Sequence, residues 1–404
     1  MTAAANSVAG QRDPLSVAEA TAEISIAAEA LERALAAGDL KEFYRVFRAT
    51  RLPFLCGEYK DDAGRLFAAC FAIVHRLGSV SPGVALAVEN HYYVTSAIAT
   101  FPTHGDTGLD RRREAVLGSI VNRRLLVANT NSKVHAPRVG EIGTKARREG
   151  HGFYVNGTAV YTSLASEADL LVLMTELEGA GLAVFSIVPM QGNPGLEIGP
   201  YLFPTAMIDS DTRRIAFHDL LLPESALIAT AHEGLAPYLF GFEMAWHQVL
   251  IPALYLGAAA RAIEEVRIFL TSTQGRDGKP LATLDGMIVD TGRLVLDYRA
   301  AMLTVEKAGE ALAGVTRLPR DAGLLDRAIR LAGAAKYAGT RTAEAIVTLA
   351  RRIVGARSFA GTCPLERLSQ EVMFGALGPE VSAVLERRAG KEALEAHSFL
   401  EAAQ

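Results

Sequence analysis

A histidine side chain titrates near pH ~6.5, so it can take or give a proton at neutrality. His247 is such a group, and it stands beside Trp246, the single tryptophan of the chain. A core histidine with satisfied ring nitrogens would fill the same position without doing chemistry. Glu380 follows Gly378 and Pro379. A carboxylate in an irregular loop can serve as a base, whereas one at a helix N-terminus suits the helix dipole and is structural. For both residues the two alternatives stay open on sequence alone. The three cysteines, Cys56, Cys70 and Cys363, lack metal-site spacing and are too few for a disulfide scaffold. They point to a reducing cytoplasm. No GxGxxG turn stands at a strand-to-helix junction, so the nicotinamide fingerprint is absent.

The elements that must position these groups can be read from composition and periodicity. The chain has 404 residues, is 50% hydrophobic and carries a formal net charge of -4. Its mean hydropathy is +0.18 and its pI about 6.2. A disordered chain would be poorer in apolar residues, and a nucleic-acid binder would show a basic excess. No run of about 18 apolar residues is free of charge, so no membrane span is expected. The N-terminus lacks a basic region followed by an apolar core, so no secretory signal is expected either.

Three textures follow one another. Residues 1–124 read as a loose tail and then helices: SVAEATAEISIAAEALERALAAG ends at Gly38, and DDAGRLFAACFAIVHRLGSVS and SPGVALAVENHYYVTSAIATF follow. Residues 125–233 carry short β-branched or aromatic runs, RLLVANT, GFYVNGTAVYTS, DLLVLMTEL, AGLAVFSIVP and RRIAFHDLLLP. Asn156-Gly157 predicts a hairpin turn, because both residues accept positive φ. Such strands without long intervening helices predict an antiparallel sheet or barrel. Residues 234–404 return to long amphipathic segments with short connections, which predict an antiparallel four-helix bundle.

In that order the chain resembles the acyl-CoA dehydrogenase family. Four patches carry the resemblance: GHGFYVNGTAVYTSLASEADLLVLM, RRIAFHDLLLPESALI, LYLGAAARAIEEV with RDGKPLATLDGMI, and RRIVGARSFAGTCPLERL. The resemblance implies an α+β fold with an N-terminal helical domain, a middle antiparallel β-barrel domain and a C-terminal four-helix bundle. It also implies FAD, held between β domain and bundle. Asn129 and Thr130 fall where the family contacts the flavin pyrimidine ring. Tyr161 and Ser163 stand for its aromatic wall and its hydroxyl donor to flavin N5. Gly355-Ala356 stands for its Gly-Gly turn at the pyrophosphate, with Arg276 and Arg357 as phosphate partners. Family members work as homotetramers or homodimers, on acyl thioesters of CoA or an acyl carrier protein.

The departures bear on the reaction. The stretch after the first strand reads ANTNSKVHAPRVGEIGT, with Asn131 in place of a family Glu and His135-Ala136-Pro137-Arg138 in place of a Gly-Ser-Asp. The family's loop base aligns with Pro379, one residue before Glu380, and its Arg-Asp pair becomes Gln370-Glu371. A second base position found in the family, on the first bundle helix, aligns with His247, and Gln248 replaces a frequent Arg. The resemblance therefore implies α,β-desaturation of an acyl thioester, with electrons passed on to an electron-transfer flavoprotein. It leaves open a flavin-dependent monooxygenase on the same fold, supplied by a flavin reductase and using O2, and a scaffold protein without catalysis. None of these implies nucleic acid or membrane as a partner.

Overall fold

The computed structural model describes residues 14–60, 62–103, 105–130, 142–231, 235–316, 320–361, 363–396 and 398. Six helices come first: α1 (Val17–Ala37), α2 (Lys41–Ala49), α3 (Leu55–Glu58), α4 (Ala63–Gly78), α5 (Pro82–Thr100) and α6 (Thr107–Arg123). Eight strands follow: β1 (Val127–Thr130), β2 (Thr144–Glu149), β3 (Gly152–Thr162), β4 (Leu170–Leu177), β5 (Gly181–Ile187), β6 (Leu196–Tyr201), β7 (Arg213–Pro223) and β8 (Leu227–Thr230). The chain then returns to helix in α7 (Leu235–Ser272), α8 (Asp285–Thr316), α9 (Ala322–Val354), α10 (Leu365–Glu371), α11 (Phe374–Leu377) and α12 (Ser382–Glu395). This is the expected succession of helices, sheet and bundle.

The local causes are legible. Ser16 caps α1 in a capping box with Glu19, and Gly38 ends the helix at φ 70°. Ser81 caps α5 and Pro82 fills its first position. α5 is buried along almost its whole length, so it has no solvent face on which to place polar side chains. α4 and α7 cross closely because Gly78 and Gly257 meet across them: a Cβ on Gly257 would lie 2.1 Å from His75 O. The bundle is built mainly on α7, α8 and α9, while the fourth segment is short and interrupted between α10 and α11. Gly378-Pro379 closes that segment, since a Pro cannot continue a helix.

The sheet runs β6-β7-β3-β2-β4-β5-β8, with β1 joined to β4. Most pairings are antiparallel, as expected, but β1–β4 and β2–β4 are parallel. They share β4 end to end, β1 against Leu170–Leu173 and β2 against Glu176 and Leu177. The Asn156-Gly157 turn is corrected. β3 runs straight through these residues and pairs with β2 on one side and β7 on the other. Gly157 takes its positive φ of 116° at a register shift against β7, so the pair forms a bulge. Asn156 locks it by donating from Nδ2 to Asp219 Oδ1 at 2.8 Å and accepting from the Asp219 N–H at 2.9 Å. The strands β2, β6 and β8 lacked an apolar run long enough to be read from sequence.

Candidate functional site

The buried helix α5 must satisfy every polar side chain it carries from inside the protein. Two of them hold β1. The Val127 N–H donates to His91 Nδ1 at 3.0 Å, and the Asn129 N–H donates to Asn90 Oδ1 at 3.1 Å. Alternate N–H groups on the β1 edge away from β4 are thus capped by side chains, as a neighbouring strand would cap them. With Nδ1 accepting, His91 donates from Nε2 to Pro53 O at 2.6 Å. Burial pulls its pKa down to about 4, so it stays neutral. Thr95 and Thr100 donate back to the helix carbonyls of His91 and Ser96.

Glu89 is different. It is fully buried, its Oε1 lies 3.0 Å from His247 Nδ1 on α7, and its Oε2 has no partner among the described residues. His247 is 8% exposed, and its second ring nitrogen, Nε2, is also without a partner among the described residues. Tyr93, one turn along α5 from Glu89, meets the His247 ring edge-on with centroids 4.9 Å apart. One turn back along α7, Glu243 accepts from Asn129 Nδ2, which also donates to Tyr93 Oη at 3.0 Å. Each helix therefore presents an acid and a ring at i, i+4, and Asn129 from β1 ties the two turns together. Burial pushes the Glu89 carboxyl upward, opposed by His247. It also raises the Tyr93 phenol, and the Glu243 and Glu89 charges add to that.

The expected loop base has other partners. Gln248 Nε2 donates to Glu380 Oε2 at 3.1 Å, and Arg388 donates to Glu380 Oε1. Lys336 Nζ donates to the Glu380 carbonyl at 2.8 Å. Burial of that ammonium lowers its pKa to about 8, partly offset by Glu380. Glu380 also lies just before α12, where a carboxylate suits the helix dipole. His247 and Gln248 are consecutive on a helix, so their side chains diverge by ~100°. The two candidate bases accordingly engage different neighbours, His247 toward α5 and Glu380 toward α9 and α12.

The remaining expected residues form two further groups. Among the described residues, the buried Thr130 Oγ1 is unpaired, beside Asn129 on β1, and Asn129 Oδ1 is unpaired as well. Tyr161 has φ 59° and an exposed ring that stacks on Phe203 at 6.0 Å, and Phe203 meets Phe374 of α11 at 5.0 Å. Ser163 Oγ is 2.9 Å from Thr212 Oγ1, which is 2.7 Å from Ser210 Oγ. At the end of the bundle, Arg357 donates to Thr273 Oγ1 at 3.1 Å and lies over the Phe269 ring. This brings Gly355 and Ala356 near the segment that carries Arg276, although their sequence separation is large. Gly355 has φ 67° with open space around a notional Cβ, and Arg276 is exposed. Asn131 and His135–Arg138 lie outside the described residues.

Three buried acids were not singled out by sequence reasoning. Glu89 is the only Asp, Glu, Lys or Arg between Arg76 and Asp106, and Glu243 the only one between Glu233 and Arg261. A lone carboxylate in a long uncharged run is the signal that could have found them. Glu371, read only as a departure from the family pattern, is 4% exposed with Oε2 unpaired. Burial raises its pKa to about 7, opposed by Arg367 and reinforced by Asp209. Among the described residues, no group of His, Cys, Asp and Glu could hold a metal ion, and no helix is long and apolar enough to cross a membrane.

Comparison with known proteins places this arrangement. Residues 242–379 match the model of the acyl-CoA dehydrogenase C-terminal domain. The isobutylamine N-hydroxylase of Streptomyces viridifaciens is 25% identical over 309 residues, 74% of each chain. The butyryl-CoA dehydrogenase of Megasphaera elsdenii superposes with a TM-score of 0.76 at 18% identity, over 93% of this chain and 98% of that one. The dibenzothiophene monooxygenase of Paenibacillus sp. A11-2 superposes with a TM-score of 0.78 at 14% identity, over 95% and 98%. At those identities the superpositions establish the fold, which is that of the acyl-CoA dehydrogenases, and the family match places residues 242–379 with that family's C-terminal domain.

Proposed function

We propose that the protein is an FAD-dependent oxidoreductase that desaturates an acyl thioester between its α and β carbons, with His247 as the base. The observation that carries this reading is the unpaired Nε2 of His247, buried and held from behind by Glu89. A base must have a lone pair free toward substrate and a neighbour that fixes its ring. Both oxygens of Glu380 already accept a hydrogen bond, one from Gln248 and one from Arg388.

The residues present suit a flavin. Thr130 and Thr162 each have a buried hydroxyl without a partner, the exposed Tyr161 ring offers an aromatic face, and Gly355 leaves room for close backbone approach. Thr130, Tyr161 and Ser163 would hold the ring system, and Arg276, Gly355, Ala356 and Arg357 the pyrophosphate. When bound, the flavin would supply the acceptor for the hydride that leaves the β-carbon. His247 Nε2 takes the α-proton, the α C–H bond breaks, and its electron pair forms the second carbon–carbon bond. Trp246 and the apolar side chains of α5 and α7 exclude water from that transfer.

A second reading, oxygenation of a carbon or nitrogen centre with reduced flavin and O2, is favoured by the polar set Glu89, Tyr93, Asn129, Glu243 and His247. An unadorned aliphatic acyl chain has no use for so many polar neighbours. The names of the relatives span both chemistries. Anaerobic addition of a panel of acyl thioesters to the purified flavoprotein separates the two. Bleaching of the flavin supports desaturation. Absence of bleaching, with product formed only from O2 and a flavin reductase, supports oxygenation. The reading further includes a homo-oligomer, supported by Val289, Leu296 and Leu303, which form a seven-residue repeat of exposed apolar side chains on α8.

A further inference from the structure

We infer that Glu89 is the positioning residue of His247: its carboxylate accepts the Nδ1–H, leaves the lone pair on Nε2, and stabilises the imidazolium formed when Nε2 takes a proton. The inference deepens the proposed function, and it rests on that reading for the direction of proton transfer.

The neighbours of Glu89 make the argument. Asn90, His91, Thr95 and Thr100 of α5 each satisfy a backbone group, so each has a structural purpose. Glu89 binds no backbone group and no Lys or Arg among the described residues. Its one hydrogen-bond partner is the His247 ring. A buried carboxylate is unfavourable unless it is paired. Proton uptake at Nε2 converts a buried anion beside a neutral ring into a buried ion pair, which is the more stable arrangement. The ring cannot swing away, because Tyr93 packs edge-on against it. The other titratable groups facing the pair are Tyr93 from α5 and Glu243 from α7, and Asn129 of β1 bridges those two.

A competing arrangement has the same geometry. A protonated Glu89 could donate to Nδ1, which would put the hydrogen on Nε2 and make it a donor. Nitrogen-15 NMR of the histidine-labelled holoprotein distinguishes the two, with His247→Gln used to assign the signal. The expected result is the Nδ1–H tautomer at His247 in the resting protein. In Glu89→Gln that preference is lost, and turnover falls at least ~10²-fold while flavin content and KM stay within threefold. An Nε2–H tautomer in the unmodified protein overturns the inference, as does a Glu89→Gln variant that turns over at the unmodified rate. The tautomer measurement needs no Glu89 variant, so it decides even if Glu89→Gln fails to fold. Failure of the parent reading has a different signature: His247→Gln retains full turnover, whatever the tautomer.

Discussion

Glu89 Oε1 and His247 Nδ1 lie 3.0 Å apart, although 158 residues separate them in the chain. One belongs to the helices before the sheet and the other to the first bundle helix. The contact exists because α4, α5 and α7 pack against one another, with Gly78 and Gly257 allowing the close crossing of α4 and α7. It joins the only charged side chain of a long buried stretch to a ring with one free nitrogen. The other candidate base, Glu380, is paired with Arg388 and accepts a hydrogen bond from Gln248.

Glu380→Gln is therefore expected to lower stability more than activity. Loss of the charge-assisted bond to Arg388 removes about 1–2 kcal/mol, since the pair is only partly buried. Turnover stays within about threefold of the unmodified protein. Urea unfolding and steady-state kinetics on the same preparation check both parts. A hundredfold loss of turnover with unchanged stability would return Glu380 to the role of base.

Glu371 makes stability depend on pH. Its pKa is raised from 4.5 to about 7 in the folded protein, with burial as the first cause. The folded state therefore binds more protons than the unfolded state between those values, so stability falls as pH rises through that window. The expected loss is on the order of 3 kcal/mol from a shift of that size. Glu371→Gln removes it. Urea midpoints at pH 5 and pH 8 should show the variant gaining on the unmodified protein at the higher pH. An equal difference at both values would contradict the assignment.

The apolar repeat on α8 predicts an assembly. Leu296 is 65% exposed and Leu303 is 67% exposed, too much for long apolar side chains in line on one helix face unless another surface covers them. Leu296→Glu with Leu303→Glu should shift the protein to a smaller species in light scattering coupled to gel filtration, with its helical circular dichroism intact. An unmodified protein that already runs as a monomer sinks this prediction.

Arg357 tests the pyrophosphate assignment. Its guanidinium is fixed by Thr273 and Phe269 at the exposed end of α9. A charge-assisted bond is worth roughly 1.5–3 kcal/mol, so Arg357→Ala should weaken FAD binding by about 10–100-fold. Riboflavin, which lacks phosphates, should bind the variant and the unmodified protein alike. Equal loss for both ligands would place Arg357 in a structural role.

Much of the fold is legible in the sequence because its signals are local. Ser16 with Glu19, Gly38, Ser81-Pro82 and the long amphipathic segments mark helices by capping and period. The misreadings come where tertiary context decides. Asn156-Gly157 has the residues of a two-residue turn, yet β7 lies alongside and Asp219 engages Asn156, so a bulge forms. β2 reads TKARRE and is mostly exposed, leaving no apolar run to detect. For the site, His247 was legible as a candidate base, but its partner was not. Pairing Glu89 with His247 needs the packing of α5 on α7, which no local signal encodes. The partners of Glu380 were hidden for the same reason, since Arg388 and Gln248 reach it from different elements.

The central claim is that His247 removes the α-proton during flavin reduction. The most direct measurement is the anaerobic rate of flavin bleaching by a reactive acyl thioester, with and without deuterium at the α-carbon, in the unmodified protein and in His247→Gln. The account predicts slower bleaching with the α-deuterated thioester, and a fall of ~10²–10⁴-fold in the variant. Bleaching of His247→Gln at the unmodified rate, with or without an isotope effect, would contradict it.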